Sequence, residues 1–135
     1  MGKGDFSKIP NGIGGVEHRM DTIYQGVAAG EITLARWVEL CATTPARMFG
    51  LYPQKGVIAP GSDADIVIYD PNAKSTIGVA THHMNMDHSA YEGFEVDGKV
   101  DTVISRGTVV IEADSYVGTK GHGQYVKRGL SQYLL

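Results

Sequence analysis

Lys55-Gly56-Val57-Ile58-Ala59-Pro60-Gly61-Ser62-Asp63-Ala64-Asp65-Ile66-Val67-Ile68-Tyr69 is the stretch where the hydrophobic pattern changes period. Before it, apolar residues recur as they do on helices; after it, they recur as they do in strands. Within it, Pro60-Gly61 predicts a tight turn. Ala64 to Tyr69 is apolar on both faces apart from Asp65, which predicts a buried strand. Working back toward the N-terminus, Thr44-Pro45 predicts an N-cap followed by Pro at the first helical position, opening a short helix Pro45 to Phe49 that Gly50 closes. A longer helix opens near Thr33 as N-cap, with Leu34, Trp37, Val38 and Cys41 as its buried stripe. Val16, Met20, Ile23, Tyr24 and Val27 form the stripe of an earlier helix, stopped by Gly30. Residues 1–15 are loop, with Pro10-Asn11-Gly12 and Gly14-Gly15 as turn formers.

Working forward, residues 71–99 are irregular and rich in His, Met, Asn and Gly. Val100 to Ser105 and Thr108 to Glu112 are strands, joined by Arg106-Gly107 as a two-residue hairpin signal. The tail from Tyr116 is Gly-rich and mildly basic, with Lys120, His122, Lys127 and Arg128. Two features point to an incomplete unit. A domain seldom begins with a long loop, and a sheet of a few strands leaves one face in need of cover that nothing in the sequence supplies. Uncovered strand edges predict aggregation or a molten state for the chain alone.

Composition narrows the function classes. With 42% hydrophobic and 20% charged residues over 135 positions, the chain reads as globular rather than disordered. A formal net charge of −3 argues against a general nucleic-acid binder. No apolar run approaches the roughly 20 residues of a membrane span, and MGKGDFSKIP has no apolar core of a signal peptide. The lone Cys41 excludes an intramolecular disulfide framework and fits a reducing compartment. A cytoplasmic location is the expectation.

Several clusters invite a chemical reading. His82-His83-Met84-Asn85-Met86-Asp87-His88 gathers imidazoles and a carboxylate. Neutral imidazole suits zinc, but adjacent His82 and His83 point to opposite sides of an extended chain, and neither HxH nor HxxxH occurs. A structural or surface loop is the better reading. Asp63 and Asp65 could hold a hard cation, although Asp63 capping the turn and Asp65 bonding nearby amides explains them better. Glu17-His18-Arg19 opens a helix, where Glu17 suits the dipole, and no Ser or Cys nucleophile stands near His18 in sequence. Cys41 lies on an apolar stripe and reads as an inert buried thiol. Gly2-Lys3-Gly4 and the Gly118 to Gly123 region lack the flanking elements of a phosphate loop. Pro10-Asn11-Gly12-Ile13-Gly14-Gly15 is a Gly-rich loop feeding a helix, and composition leaves it equally a ligand-reading backbone or an ordinary connection.

These residues resemble the cyclic amidohydrolases of the hydantoinase/dihydropyrimidinase type. Asp5 to Gly12 with Gly15-Val16-Glu17-His18-Arg19 looks like that family's segment after the last barrel strand. Thr44-Pro45-Ala46-Arg47-Met48-Phe49-Gly50-Leu51 is similar to its NPA…FGL helix, with Thr44 where Asn is common. Lys55 to Val67 carries the Gly-Ser-Asp-Ala-Asp signature shared across amidohydrolases. His82-His83 to Phe94, Val103 to Gly107 and Gly121 to Arg128 continue the match in order, so the resemblance covers essentially the whole chain.

The resemblance implies an α/β fold: the C-terminal portion of a (β/α)8 metal-dependent-hydrolase barrel followed by strands of a small β-sandwich. Residues 1–52 would end the barrel, 53–115 would belong to the sandwich with an irregular insertion at 71–99, and 116–135 would be a tail packing on a neighbouring subunit. It implies a zinc-dependent enzyme that hydrolyses a cyclic amide C–N bond with two metal ions, and a homo-oligomer, dimer or tetramer. All metal ligands would lie upstream, so this chain carries no catalytic or metal residue, binds no metal itself and is inactive alone. The main chain at Asn11 would contact the cyclic substrate. The alternative is a non-enzymatic dihydropyrimidinase-related interaction or assembly protein, which shares the fold without the metal ligands.

Overall fold

The computed structural model describes residues 4–9 and 12–133. A single 3₁₀ turn, Phe6–Lys8, precedes helix α1 (Arg19–Ala28), helix α2 (Leu34–Val38), a π-helical turn (Glu39–Thr43) and helix α3 (Thr44–Met48). Four strands follow: β1 (Ile66–Ile77), β2 (Phe94–Ser105), β3 (Thr108–Glu112) and β4 (Ser115–Tyr116). They form one antiparallel sheet in the order β1-β2-β3-β4, so helices and sheet make a mixed α/β chain.

Helix α1 ends as its sequence predicts. Gly30 takes φ of +74°. Its amide bonds the Val27 carbonyl, and the Glu31 amide reaches back to Gly26. This is a Schellman close, with Ile32 folded onto Gly26. The start of α1 corrects the predicted stripe: Val16 precedes the helix in a turn and is 90% exposed. Tyr24 is the buried member of the stripe, and Met20, Ile23 and Val27 pack beside it.

Thr33 caps α2, its hydroxyl accepting from the Arg36 amide at 3.1 Å. The predicted cap at Thr44 is not formed. Thr44 is itself helical, and its amide bonds the Glu39 carbonyl, so α2 runs through a π turn into α3. The physical reason is Pro45, which has no N–H to give to a carbonyl one turn back and whose ring crowds an α turn. Widening the preceding turn accommodates it without a break. The Thr43 hydroxyl donates instead to the Gly56 carbonyl at 2.8 Å. Trp37 and Cys41 are buried as predicted, whereas Leu34 and Val38 are exposed.

Tyr24, Trp37 and Cys41 form the centre of the core. The Tyr24, Trp37 and Tyr69 rings meet edge-on or tilted at 4.7–5.2 Å between centroids, the separation aromatic pairs favour. The Trp37 indole N–H is satisfied by the Met20 carbonyl at 3.1 Å. Gly98 admits these rings to the sheet: its φ is +81°, and a Cβ there would stand 2.9 Å from the Tyr24 ring. Gln25 clamps α1 to β2 by giving one hydrogen bond to the Asp97 main chain and accepting another, each 3.0 Å.

The sheet corrects two expectations. The irregular insertion at 71–99 shrinks to residues 78–93, because β1 runs on to Ile77 and β2 starts at Phe94. Pro71 is tolerated because the β1–β2 register shifts between Asp70 and Lys74, and a bulge needs no ladder N–H from it. The strand expected to be buried over Ala64 to Tyr69 instead starts at Ile66, and Val67 and Ile68 are 41% and 50% exposed. Val67 faces the groove beside α1, and Ile68, on the opposite face of the strand, has no second sheet over it among the described residues.

The Arg106-Gly107 hairpin forms as predicted, with φ of +46° and +79°, the mirror-image turn that suits strand twist. Ala113-Asp114 makes a second turn of the same kind, with φ of +46° and +67°, and adds β4. The tail, expected to reach a neighbouring subunit, packs on its own chain in this structure. The Gly129 amide bonds the Gly50 carbonyl at 2.8 Å, and the Gln132 amide bonds the Arg47 carbonyl at 3.0 Å.

Candidate functional site

Asn11, the residue the family resemblance places against substrate, lies outside the described residues, as does Pro10. The loop leaving them, Gly12 to Glu17, is described, and residues 78–93 lie against it. A Cβ on Gly14 would overlap the Met86 thioether, and one on Gly15 would stand 3.2 Å from the Tyr91 ring. The glycines therefore let one loop lie flat beneath the other, the close backbone approach that glycine permits.

Glu17 locks this stack. Its carboxylate accepts the His83 main-chain N–H at 2.9 and 2.8 Å, and its Oε1 is 2.7 Å from the His83 Nδ1. The other ring nitrogen, Nε2, is 2.9 Å from the Asp114 carbonyl in the β3–β4 turn. Partial burial pushes the Glu17 carboxyl up, but the hydrogen bonds from His83 outweigh it and hold Glu17 below the usual range. The Glu17 carboxylate, followed by the Asp114 carbonyl, raises the His83 imidazole above its ordinary value. Glu17 is thus not simply a dipole partner of α1, which begins two residues later.

His82 and His83 do diverge. His83 turns to Glu17, while His82 turns to His18 with ring centroids 6.3 Å apart. His18 is 6% exposed and also meets the edge of Tyr91. Its Nε2 and both ring nitrogens of His82 have no hydrogen-bond partner among the described residues. His88 bonds only its neighbour Asp87, at 3.1 Å.

Asp63 and Asp65 are spoken for by a cation of the chain. Lys55 Nζ is 2.8 Å from Asp63 and also bonds Asp65. Asp65 accepts the Arg106 amide at 2.8 Å, 41 positions away rather than in its own turn, and the Asp63 carboxylate takes Gln54 and Lys55 instead of capping the Pro60-Gly61 turn. The hydrogen bond from Lys55 holds Asp63 below the usual carboxylate range. Cys41 is buried, and burial raises its thiol, the opposite of activation. Among the described residues no group of three or more His, Cys, Asp or Glu side chains could hold a metal ion. The residues present therefore do not fit the zinc pair implied by the resemblance.

Beside the Glu17–His83 lock, a groove of about 410 Å³ runs between α1 and the sheet, walled by Met20, Val67, Ile77, Val100 and Val103. Sequence reasoning missed the lock itself. Glu17 and His83 are 66 positions apart, and no local pattern announces a partner at that distance.

The comparisons with known proteins agree on one neighbourhood. The model of the amidohydrolase family matches residues 8–110. A D-hydantoinase from Streptomyces coelicolor is 58% identical over 134 residues, covering 99% of this chain and 29% of the relative. A dihydropyrimidinase from Rattus norvegicus is 48% identical over 129 residues, covering 95% of this chain and 25% of the relative. The D-hydantoinase structure from Bacillus sp. AR9 superposes with a TM-score of 0.90 at 50% identity, covering 96% of this chain and 28% of the other. The L-hydantoinase (dihydropyrimidinase) from Arthrobacter aurescens gives 0.80 at 34% identity, covering 92% and 28%. The chain spans between a quarter and a third of the length of each.

Proposed function

This chain belongs to the amidohydrolase family, and from that premise we propose that it serves a hydrolase that opens cyclic amides, hydantoins or dihydropyrimidines, at a ring C–N bond. One observation carries the reading: similarity to D-hydantoinases runs along almost the whole chain in both sequence and fold. In this reading residues 1–52 finish the barrel, 53–115 supply sandwich strands, and 116–135 reach a neighbouring subunit of a homo-oligomer in the cytoplasm. The main chain at Asn11 contacts the substrate ring. Ile68 and Val109, exposed on the face that the strand register sets opposite Val67, support a sandwich partner, since an apolar sheet face is ordinarily covered.

In this reading the metal side of the site is supplied by other parts of the protein. What this chain contributes is the substrate side: a backbone loop, the layer of residues 78–93 against it, and the lock that fixes one to the other. The non-enzymatic alternative has no observation here in its favour.

The test is ring-opening of hydantoin and dihydrouracil, followed by loss of ring absorbance. The full-length protein, loaded with zinc, is expected to turn over. The 135-residue chain alone is expected to be inactive with or without zinc. Zinc-dependent turnover by the pure chain would overturn the assignment of the metal site elsewhere, and failure of the loaded full-length protein on all such rings would overturn the activity.

A further inference from the structure

His83 joins three segments distant in sequence: the turn entering α1 through Glu17, the 78–93 layer that carries it, and the β3–β4 turn through the Asp114 carbonyl. Both ring partners are acceptors only. A carboxylate oxygen faces Nδ1 at 2.7 Å and a carbonyl oxygen faces Nε2 at 2.9 Å. A neutral imidazole has one N–H and one lone pair, so either tautomer would set a lone pair against an oxygen. The geometry is satisfied only when both nitrogens carry protons, which makes His83 an imidazolium.

The surrounding charges agree. Glu17 faces the ring directly. The Asp114 carboxylate, paired with Lys99 at 2.7 Å, favours the protonated ring as well. From α1 and its approach, His18 and Asp21 share the same groove wall, and burial raises the Asp21 carboxyl. Glu17 is therefore the dominant close charge, and a charge-assisted bond to it is stronger than a neutral one.

We propose that His83, as an imidazolium, is a positioning residue: it fixes Glu17 and the Gly12–Glu17 loop, the described part of the loop assigned above to the substrate side. This rests on the substrate-side role proposed above. Deprotonating His83 removes one ring hydrogen bond and loosens the loop. Substrate affinity then weakens as pH rises through the His83 titration. Histidine is the side chain suited to such a change near neutrality.

The experiment uses the full-length, metal-loaded protein as wild type, Glu17→Gln and His83→Gln. Glu17→Gln keeps shape and one acceptor, so it reports on charge should His83→Gln fold poorly. Hydrogen–deuterium exchange of residues 12–18 is followed from about pH 6 to about pH 9, a range that brackets the imidazole titration, after correction for intrinsic exchange. Wild type is expected to lose protection as pH rises, and both variants to show low protection at every pH. In ring-opening kinetics, KM is expected to rise about tenfold in the variants, equivalent to about 1.4 kcal/mol, with a smaller change in kcat. Wild-type KM should climb toward the variant value at high pH. Nitrogen-15 spectra of histidine-labelled protein should show the two protonated nitrogens of an imidazolium on His83 at neutral pH.

A neutral-tautomer pattern on His83 at neutral pH, or pH-dependent protection surviving in both variants, would overturn the proposal. So would a fall in kcat with KM unmoved. If the protein opens no cyclic amide, the functional reading falls, while exchange and nitrogen-15 spectra still decide whether the lock exists.

Discussion

The helical region, residues 19–56, and the sheet, residues 66–116, are built to different degrees of completion. The helices hold most of the buried side chains, with Tyr69 of β1 completing their aromatic cluster, although Leu34, Val38, Met48 and Phe49 stay exposed. Tyr24, Trp37, Cys41 and Ala46 are buried, and Gly56 lies so tightly on the π turn and α3 that a Cβ there would overlap Ala46 and come 2.9 Å from the Ala42 carbonyl. The sheet buries Ile77 and Val96 but leaves Val67, Ile68, Val109 and Tyr116 substantially exposed. The hydrophobic effect is proportional to area removed from water, so similar apolar residues stabilise the two regions unequally in this chain. The difference teaches that strand character and strand burial are separate properties: the ladder hydrogen bonds can form while the face that would make them energetically worthwhile is still bare.

Substitutions can break or sharpen this contrast. Trp37→Ala, at the centre of the finished region, should have the largest effect. It removes an aromatic hub and its hydrogen bond to the Met20 carbonyl, and the expected loss is about 3–5 kcal/mol, read as a lower urea midpoint of the full-length protein. A loss near zero would show that the helical core is not where stability resides. Gly56→Ala comes next. It meets both a φ of +82° and a backbone contact, with an expected cost of about 1–3 kcal/mol in the same measurement. Val109→Thr tests the unfinished side. It should cost about 1 kcal/mol in the full-length protein if a second layer buries a hydroxyl there without a partner, and under about 0.5 kcal/mol if the face stays in water.

The smallest effect should be a change in the shape of the stability–pH curve on replacing Glu17. Glu17 is held below its ordinary value, so its contribution is present above the unfolded carboxyl pKa and is lost as pH falls through the lowered one. His83 is raised, so its contribution is complete below the unfolded imidazole pKa and is lost as pH rises through the raised one. Wild type should therefore show an extra rise in Tm between those two limits that Glu17→Gln lacks. Parallel curves for the two proteins would mean that the pair contributes nothing to folding. Both groups remain partly exposed, and solvent keeps such pairs weak.

What could be read in the sequence was whatever is encoded locally. Gly30 as a helix stop, Thr33 as a cap, Pro60-Gly61 and Arg106-Gly107 as turns all form, because each is decided by backbone preference within a few residues. The Thr44 cap failed because two local rules compete at Thr-Pro, and the continuing helix found a third answer in a wider turn. Continuation of β1 past Pro71 was hidden for the same kind of reason, since a bulge cancels proline's usual veto. Burial of Val67 and Ile68 was misjudged because apolar pattern reports what a strand wants, not what is present to satisfy it. The Glu17–His83–Asp114 contact was invisible because nothing short-range distinguishes a carboxylate that caps a helix from one that reaches across the fold.

The π turn at Glu39–Thr43 has a consequence for how this helix tolerates changes of length. It holds one residue more than an α turn would, like an insertion absorbed without a loop. Deleting a single residue there would narrow the turn toward α geometry and press the Pro45 ring on the carbonyl one turn back. One residue is also about 100° of helix rotation, enough to swing Ala46 away from Gly56 and turn a bulkier neighbour toward it. The segment should accept substitutions far more readily than it accepts a change of phase.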